Sequence, residues 1–153
     1  MFGLFKKSPT EYFSPEEKAA IVEAIRLAEL RTSGEVRIYI EGKCKLVNPV
    51  LRAKEVFYQL RMDNTEARNA VLLYVAMKDR QLAVFGDEGI HAKVGYEFWT
   101  SEVKTMLELF NKKDYVAGLI KIIYDIGEAL VKHFPFDQKT DKNELPDEIV
   151  FGK

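Results

Sequence analysis

What this sequence lacks narrows the field before any motif is read. Cys44 is its only cysteine, so no intramolecular disulfide can form and packing alone must hold the fold, as suits a reducing compartment. No window approaches the roughly 18 to 20 apolar residues needed to cross a bilayer. The longest such run is Ala70 to Met77. The opening MFGLFKKSPTEYF brings two lysines in early and has no apolar stretch of the secretory kind. A cytoplasmic protein without a transmembrane segment is therefore expected. An excess of one charge is missing too: 23 Lys and Arg stand against 24 Asp and Glu. That balance gives no broad attraction for nucleic acid, so a protein partner is the expectation.

What is present is the material of one globular domain. A chain of 153 residues, 47% hydrophobic, has enough apolar side chains for a single core. Residues 1–13 read as a flexible N-terminus, 14–134 as the domain, and 135–153 as a polar C-terminal tail. Within that tail, Glu148 to Phe151 reads equally as a short edge strand or as a loose terminus.

Hydrophobic spacing gives the elements. Ser14-Pro15-Glu16-Glu17 combines an N-cap hydroxyl, a proline at the first helical position and a glutamate three residues after the cap. Ile21, Ala24, Ile25 and Ala28 continue that helix, which stops before Thr32-Ser33-Gly34. Glu35 to Glu41 alternates as a half-buried strand. Asn48-Pro49 starts a second helix with Ala53, Val56, Phe57 and Leu60 inward and Arg52, Lys54 and Glu55 toward water. The unbroken apolar run 70–77 predicts a central strand buried on both faces. A tight polar link at Lys78-Asp79-Arg80 leads into an antiparallel partner, Gln81 to Phe85. A third helix carries Trp99, Val103, Met106, Leu107 and Phe110, and a fourth, capped by Asp114, carries Leu119 to Leu130. The expected core includes Val56, Leu73, Val75, Trp99, Val103, Ile123 and Ile126. The fold class is α/β: a small mixed sheet with four flanking helices.

TSGEVRIYI, RAKEVFYQL, TEARNAVLLYVAMKDRQLAVFGDEGI and the later Trp99 with KKDYVAGL, in that order and spacing, resemble the TPM domain family over residues 14 to 134. The resemblance implies a Rossmann-like arrangement of a mixed sheet and helices, in a family whose members are often exported or membrane-tethered and commonly labelled phosphatases.

The chemistry that a phosphatase needs is thinly represented. Cysteine-loop, R-H-G and D-x-D signatures are absent, as are a P-loop and a G-x-G-x-x-G turn. Neither His91 nor His133 has a second candidate ligand beside it. Gly86-Asp87-Glu88-Gly89 sets two hard carboxylates side by side, suited to Ca²⁺ or Mg²⁺ if others such as Glu35, Glu41, Asp63 or Asp79 converge. The same residues also read as a solvated acidic turn whose glycines take positive φ. Arg68 and Arg80 are candidate anion-binding cations and Asn69 a loop-orienting amide, although Arg68 and Arg80 fall at opposite ends of one strand. Arg68 reads equally as the partner of a helix acid, and Asn69 as a brace for its loop. Two functions follow: a non-catalytic binding or scaffolding module, or a divalent-cation-dependent phosphatase acting on phosphate esters.

Overall fold

The computed structural model describes residues 12–112, 114–136 and 149–152. Most of the expected flexible N-terminus and polar tail, with Glu148, lies outside these residues. Along the chain come α1 (Pro15–Glu29), β1 (Glu35–Glu41), α2 (Pro49–Gln59), β2 (Ala70–Ala76), β3 (Gln81–Gly86), α3 (Glu88–Val94), α4 (Tyr96–Asn111), α5 (Tyr115–His133) and β4 (Val150–Phe151).

Local signals account for the helix starts. Ser14 Oγ accepts from the Glu17 N–H at 3.1 Å while the Glu17 carboxylate accepts from the Ser14 N–H at 2.8 Å. This reciprocal cap satisfies two donors that the first turn would otherwise leave open. Asn48 caps α2 through the Val50 N–H. Asp114 stands at the N-cap of α5 as expected, although its side chain makes no cap bond.

The sheet order is β3-β2-β1-β4, with β1 parallel to β2 and to β4, and β3 antiparallel to β2. Val36, Ile38, Ile40, Val71, Leu73 and Val75 face α1, α4 and α5 in the main core. Ala70, Leu72, Tyr74 and Ala76 face α2 on the other side. Every residue of β2 is buried, as its unbroken apolar run requires. At the far edge, Val150 and Phe151 pair with Tyr39 and Ile40, so the tail does supply a short edge strand.

Several expectations need correction. β1 is buried on both faces rather than half-buried, and on its second face Tyr39 packs against the cluster that α2 forms with β2. Helices number five among the described residues, since Gly95 at φ 78° breaks the expected third helix into α3 and α4. Only glycine adopts that backbone conformation without a steric penalty. Arg52 is buried rather than turned to water. Val103 packs against the core only partly buried, whereas the other six expected core positions are buried.

Glycines 86 and 89 are needed for space, since Gly95 is the one glycine at positive φ among the described residues. A Cβ on Gly86 would lie 2.3 Å from the Trp99 ring, and one on Gly89 would lie 2.2 Å from the Ala67 carbonyl oxygen. These two close approaches bring α4 onto β3 and α3 onto the loop before β2.

Leu73 lies in the middle of β2 with no exposed surface. Leu73→Ala is expected to lower stability by about 2–5 kcal/mol through lost burial and a residual cavity, read as a lower urea midpoint with an unchanged slope.

Candidate functional site

The residues singled out in the sequence divide between the two ends of β2. Parallel pairing puts Glu35 beside Ala70 and Glu41 beside Ala76. Arg68, Asn69, Glu35, Asp87 and Glu88 therefore gather where β2 begins, and Glu41, Asp79 and Arg80 where it ends. Six strand steps separate the groups by about 20 Å. The expectation that Arg68 and Arg80 stand apart agrees with this placement.

At the first end, Asp87 is buried and Arg68 reaches across to it. Arg68 Nε and Nη2 donate to the two Asp87 oxygens at 2.7 and 3.0 Å. The Asp87 carboxylate also accepts from the Glu88 N–H at 2.8 Å and caps α3. Hydrogen bonding to Asp87 raises the Arg68 pKa further, with the charges of Asp87 and Glu88 adding to it. Arg68 sits at φ 52°, and its carbonyl accepts from the Gly89 and Ile90 N–H groups. Glu88 is mostly exposed and touches only the outer edge of Arg68, at 3.2 Å. Asn69 is buried, with its Nδ2 donating to Ser33 Oγ and its backbone N–H to Thr65 Oγ1. Both bracing roles considered for Arg68 and Asn69 are thus present.

At the second end, Asp79 accepts from the Cys44 N–H at 2.7 Å. Arg80, at φ 51°, closes the β2–β3 turn and is exposed, without an ion pair among the described residues. Beside them, under α2, is a cluster that the sequence reading missed. Arg52 Nε and Nη2 donate to the fully buried Glu41 at 2.9 and 3.0 Å, Tyr74 Oη donates to the same carboxylate, and Arg52 also binds Glu55. Burial first, then the Glu41 carboxylate, pushes the Tyr74 hydroxyl well above its ordinary range. The missed signal was Glu41 itself: it ends a strand that is apolar on both flanks, where a carboxylate needs a partner.

Between the two ends runs an apolar groove of about 640 Å³. β3 forms its floor. Val50, Lys54 and Tyr58 form the α2 wall, and Trp99, Val103 and Leu107 the α4 wall. Tyr96 and His91 lie at the rim, and Trp99 Nε1 donates to His91 Nδ1 at 2.9 Å. Arg80 marks one end, and Asp87 with Glu88 the other. Trp99 serves both surfaces, since its buried ring packs on Gly86 and also lines the groove.

Two measurements probe this geometry. Arg52→Met should cost about 3–5 kcal/mol in urea unfolding by leaving Glu41 buried without its partner, and adding Glu41→Leu should recover part of the loss; strictly additive losses would mean that the pair is uncoupled. Glu102 on α4 is pushed up to about 7, first by burial and then by Asp125, with Lys121 opposing. A raised folded-state pKa gives stability that is present at acid pH and lost as pH rises through about 7. Glu102→Gln should remove that slope and at pH 8 be more stable than the wild type by about 1 kcal/mol, after solvent screening.

Comparison with known proteins agrees with the architecture. A family model described as the TPM domain matches residues 7–129. No curated protein matches the chain. The NMR structure of BA42 from the psychrophilic bacterium Bizionia argentinensis is 39% identical, with a TM-score of 0.85, covering 93% of this chain and 97% of that one. Two more distant likenesses concern the fold alone. They are the N-terminal domain of a P. gingivalis protein (13% identity, TM-score 0.68, 84% of each chain) and that of cg2496 from Corynebacterium glutamicum (12%, 0.62, 79% of this chain and 76% of that one). With the family pattern running through every strand from β1 to β3, this chain belongs to the TPM domain family.

Proposed function

We propose that this TPM domain is a non-catalytic binding module and that the groove along β3 is its binding face. The observation that carries the reading is the make-up of the groove: about 640 Å³ in volume, apolar on both walls apart from Lys54 of α2, with its other charged groups toward the ends. Such a surface gains from burial, and it offers no nucleophile paired with a base at its centre. Exposed Val50, Tyr58 and Tyr96 add apolar surface that water covers in the free protein.

The alternative is a divalent-cation-dependent phosphatase with Asp87 and Glu88 as Ca²⁺ or Mg²⁺ ligands. Among the described residues no group of three or more His, Cys, Asp or Glu side chains is placed to hold a metal ion. Arg68 also occupies both Asp87 oxygens, so a cation would have to displace it. Asp87 and Glu88 serve the binding reading better, as the anionic end of the groove.

Trp99 is the sole tryptophan and lies in the groove wall, which makes it the natural reporter. The hydrophobic dye ANS should bind the wild type and accept energy from Trp99. Thr100→Lys, a change at an exposed position on the rim, should weaken that binding severalfold without altering the urea midpoint. Hydrolysis of p-nitrophenyl phosphate that requires Ca²⁺ or Mg²⁺ and disappears in Glu88→Gln would overturn the proposal in favour of the phosphatase.

A further inference from the structure

The floor of the groove is more specific than its walls. β3 is an outer strand of the sheet, and its register decides which backbone groups point away from β2. The Asp87 N–H bonds the Ala70 carbonyl, so 70:87 is a hydrogen-bonded pair. In an antiparallel ladder such pairs alternate, which makes 72:85, 74:83 and 76:81 the other bonded pairs. Met77 N–H turning to Glu41 on the opposite side fits the same alternation. The N–H and C=O groups of Leu82, Val84 and Gly86 therefore face outward, along the bottom of the groove. Among the described residues nothing pairs with them. Three donors and three acceptors thus line a cleft whose walls are otherwise apolar.

Resting on the groove reading above, we infer that the occupant is an extended peptide segment that joins β3 as an additional antiparallel strand. Only backbone can satisfy a row of alternating donors and acceptors at strand spacing, and a segment of about five residues matches the length of β3. A strand in this position presents successive side chains to α4 and α2 in turn. Apart from Lys54, both walls are apolar, so the segment is continuously apolar rather than alternating. A second copy of this domain does not fit, because its own β3 is flanked by the same two helices and cannot reach the floor.

Charge fixes the direction. Arg80 precedes β3, and Lys54 stands on the α2 wall; neither has an ion pair among the described residues. Asp79, beside Arg80, is turned away onto the Cys44 N–H. At the other end Asp87 and Glu88 outnumber Arg68. The complementary segment carries acidic groups, or a free C-terminal carboxylate, at the Arg80 end and basic residues at the Glu88 end. Its chain then runs opposite to β3, the direction with the straighter hydrogen bonds. The partner is a Lys- or Arg-led, apolar, acid-ended linear segment of a protein.

The synthetic peptide KKVIVLDE tests this with the full chain. Binding should change Trp99 fluorescence, displace ANS, and slow amide hydrogen exchange at Leu82, Val84 and Gly86, whose N–H groups have no backbone partner among the described residues. Two N-methylated versions, blocking alternate amides of the VIVL core, should differ: one loses affinity by about tenfold, and the other binds nearly as well as the parent. The peptide EDVIVLKK, which keeps the core and exchanges the charged ends, should bind more weakly, increasingly so at low salt. Equal affinities for both N-methylated forms, or unchanged exchange at Leu82, Val84 and Gly86, would overturn strand addition. In that case continued ANS capture would leave the groove reading standing. No response of either Trp99 or ANS would remove both, and tighter binding of the end-exchanged peptide EDVIVLKK would overturn the direction.

Discussion

A carboxylate with no exposed surface has to be neutralised where it stands, and Glu41 imposes that condition on this fold. Its position at the end of β1, under α2, makes Arg52 the partner and fixes how α2 can be rotated about its own axis. With Arg52, Ala53, Val56 and Phe57 turned to the sheet, helical spacing carries Val50, Lys54 and Tyr58 onto one flank, over β3. The guanidinium also lies 5.8 Å from the centre of the Tyr39 ring, and Tyr39 stacks near Tyr74, whose hydroxyl completes the coordination of Glu41. One buried charge thereby organises three elements and one wall of the groove.

The opposite end of β2 is fixed by a second ion pair of a different kind. Arg68 is only partly buried, so its contact with Asp87 matters for geometry more than for its Coulomb energy. It joins the loop leading into β2 to the residue after β3, and the same Asp87 caps α3. Helix α3 then leads through Gly95 into α4, the second wall. The groove's length and both its walls thus follow from two ion pairs, one at each end of the central strand.

Much of this was legible in the sequence, and the parts that were not have a common cause. The strands, the α2 cap and the helical stripes follow from local periodicity, which needs no knowledge of distant residues. The capping box at Ser14 could be read to the residue. Arg52 was misread because an arginine on an amphipathic helix normally faces water, and only the tertiary position of Glu41 overrules that rule. Gly86 and Gly89 were assigned to backbone freedom when their role is closeness to an indole ring and to a carbonyl. No local pattern distinguishes the two roles of a glycine. The groove was invisible for a related reason: Val50, Tyr58, Val103 and Leu107 belong to helices far apart in sequence, and each looks like ordinary stripe or surface alone.

The seating of Trp99 on Gly86 bears on how the chain reaches its fold as well as on what the finished fold presents. The β2–β3 hairpin is built from neighbours in sequence and can form early, while α4 must travel from beyond α3 to cover it. Until the indole settles onto the glycine, the outer edge of β3 is bare to any strand in solution, including the same hairpin of another chain. A side chain at position 86 would hold the indole off and prolong that interval, even where the final structure tolerated it. Losses would then show as aggregation during synthesis or refolding, growing with protein concentration, on top of the stability lost by displacing the buried indole.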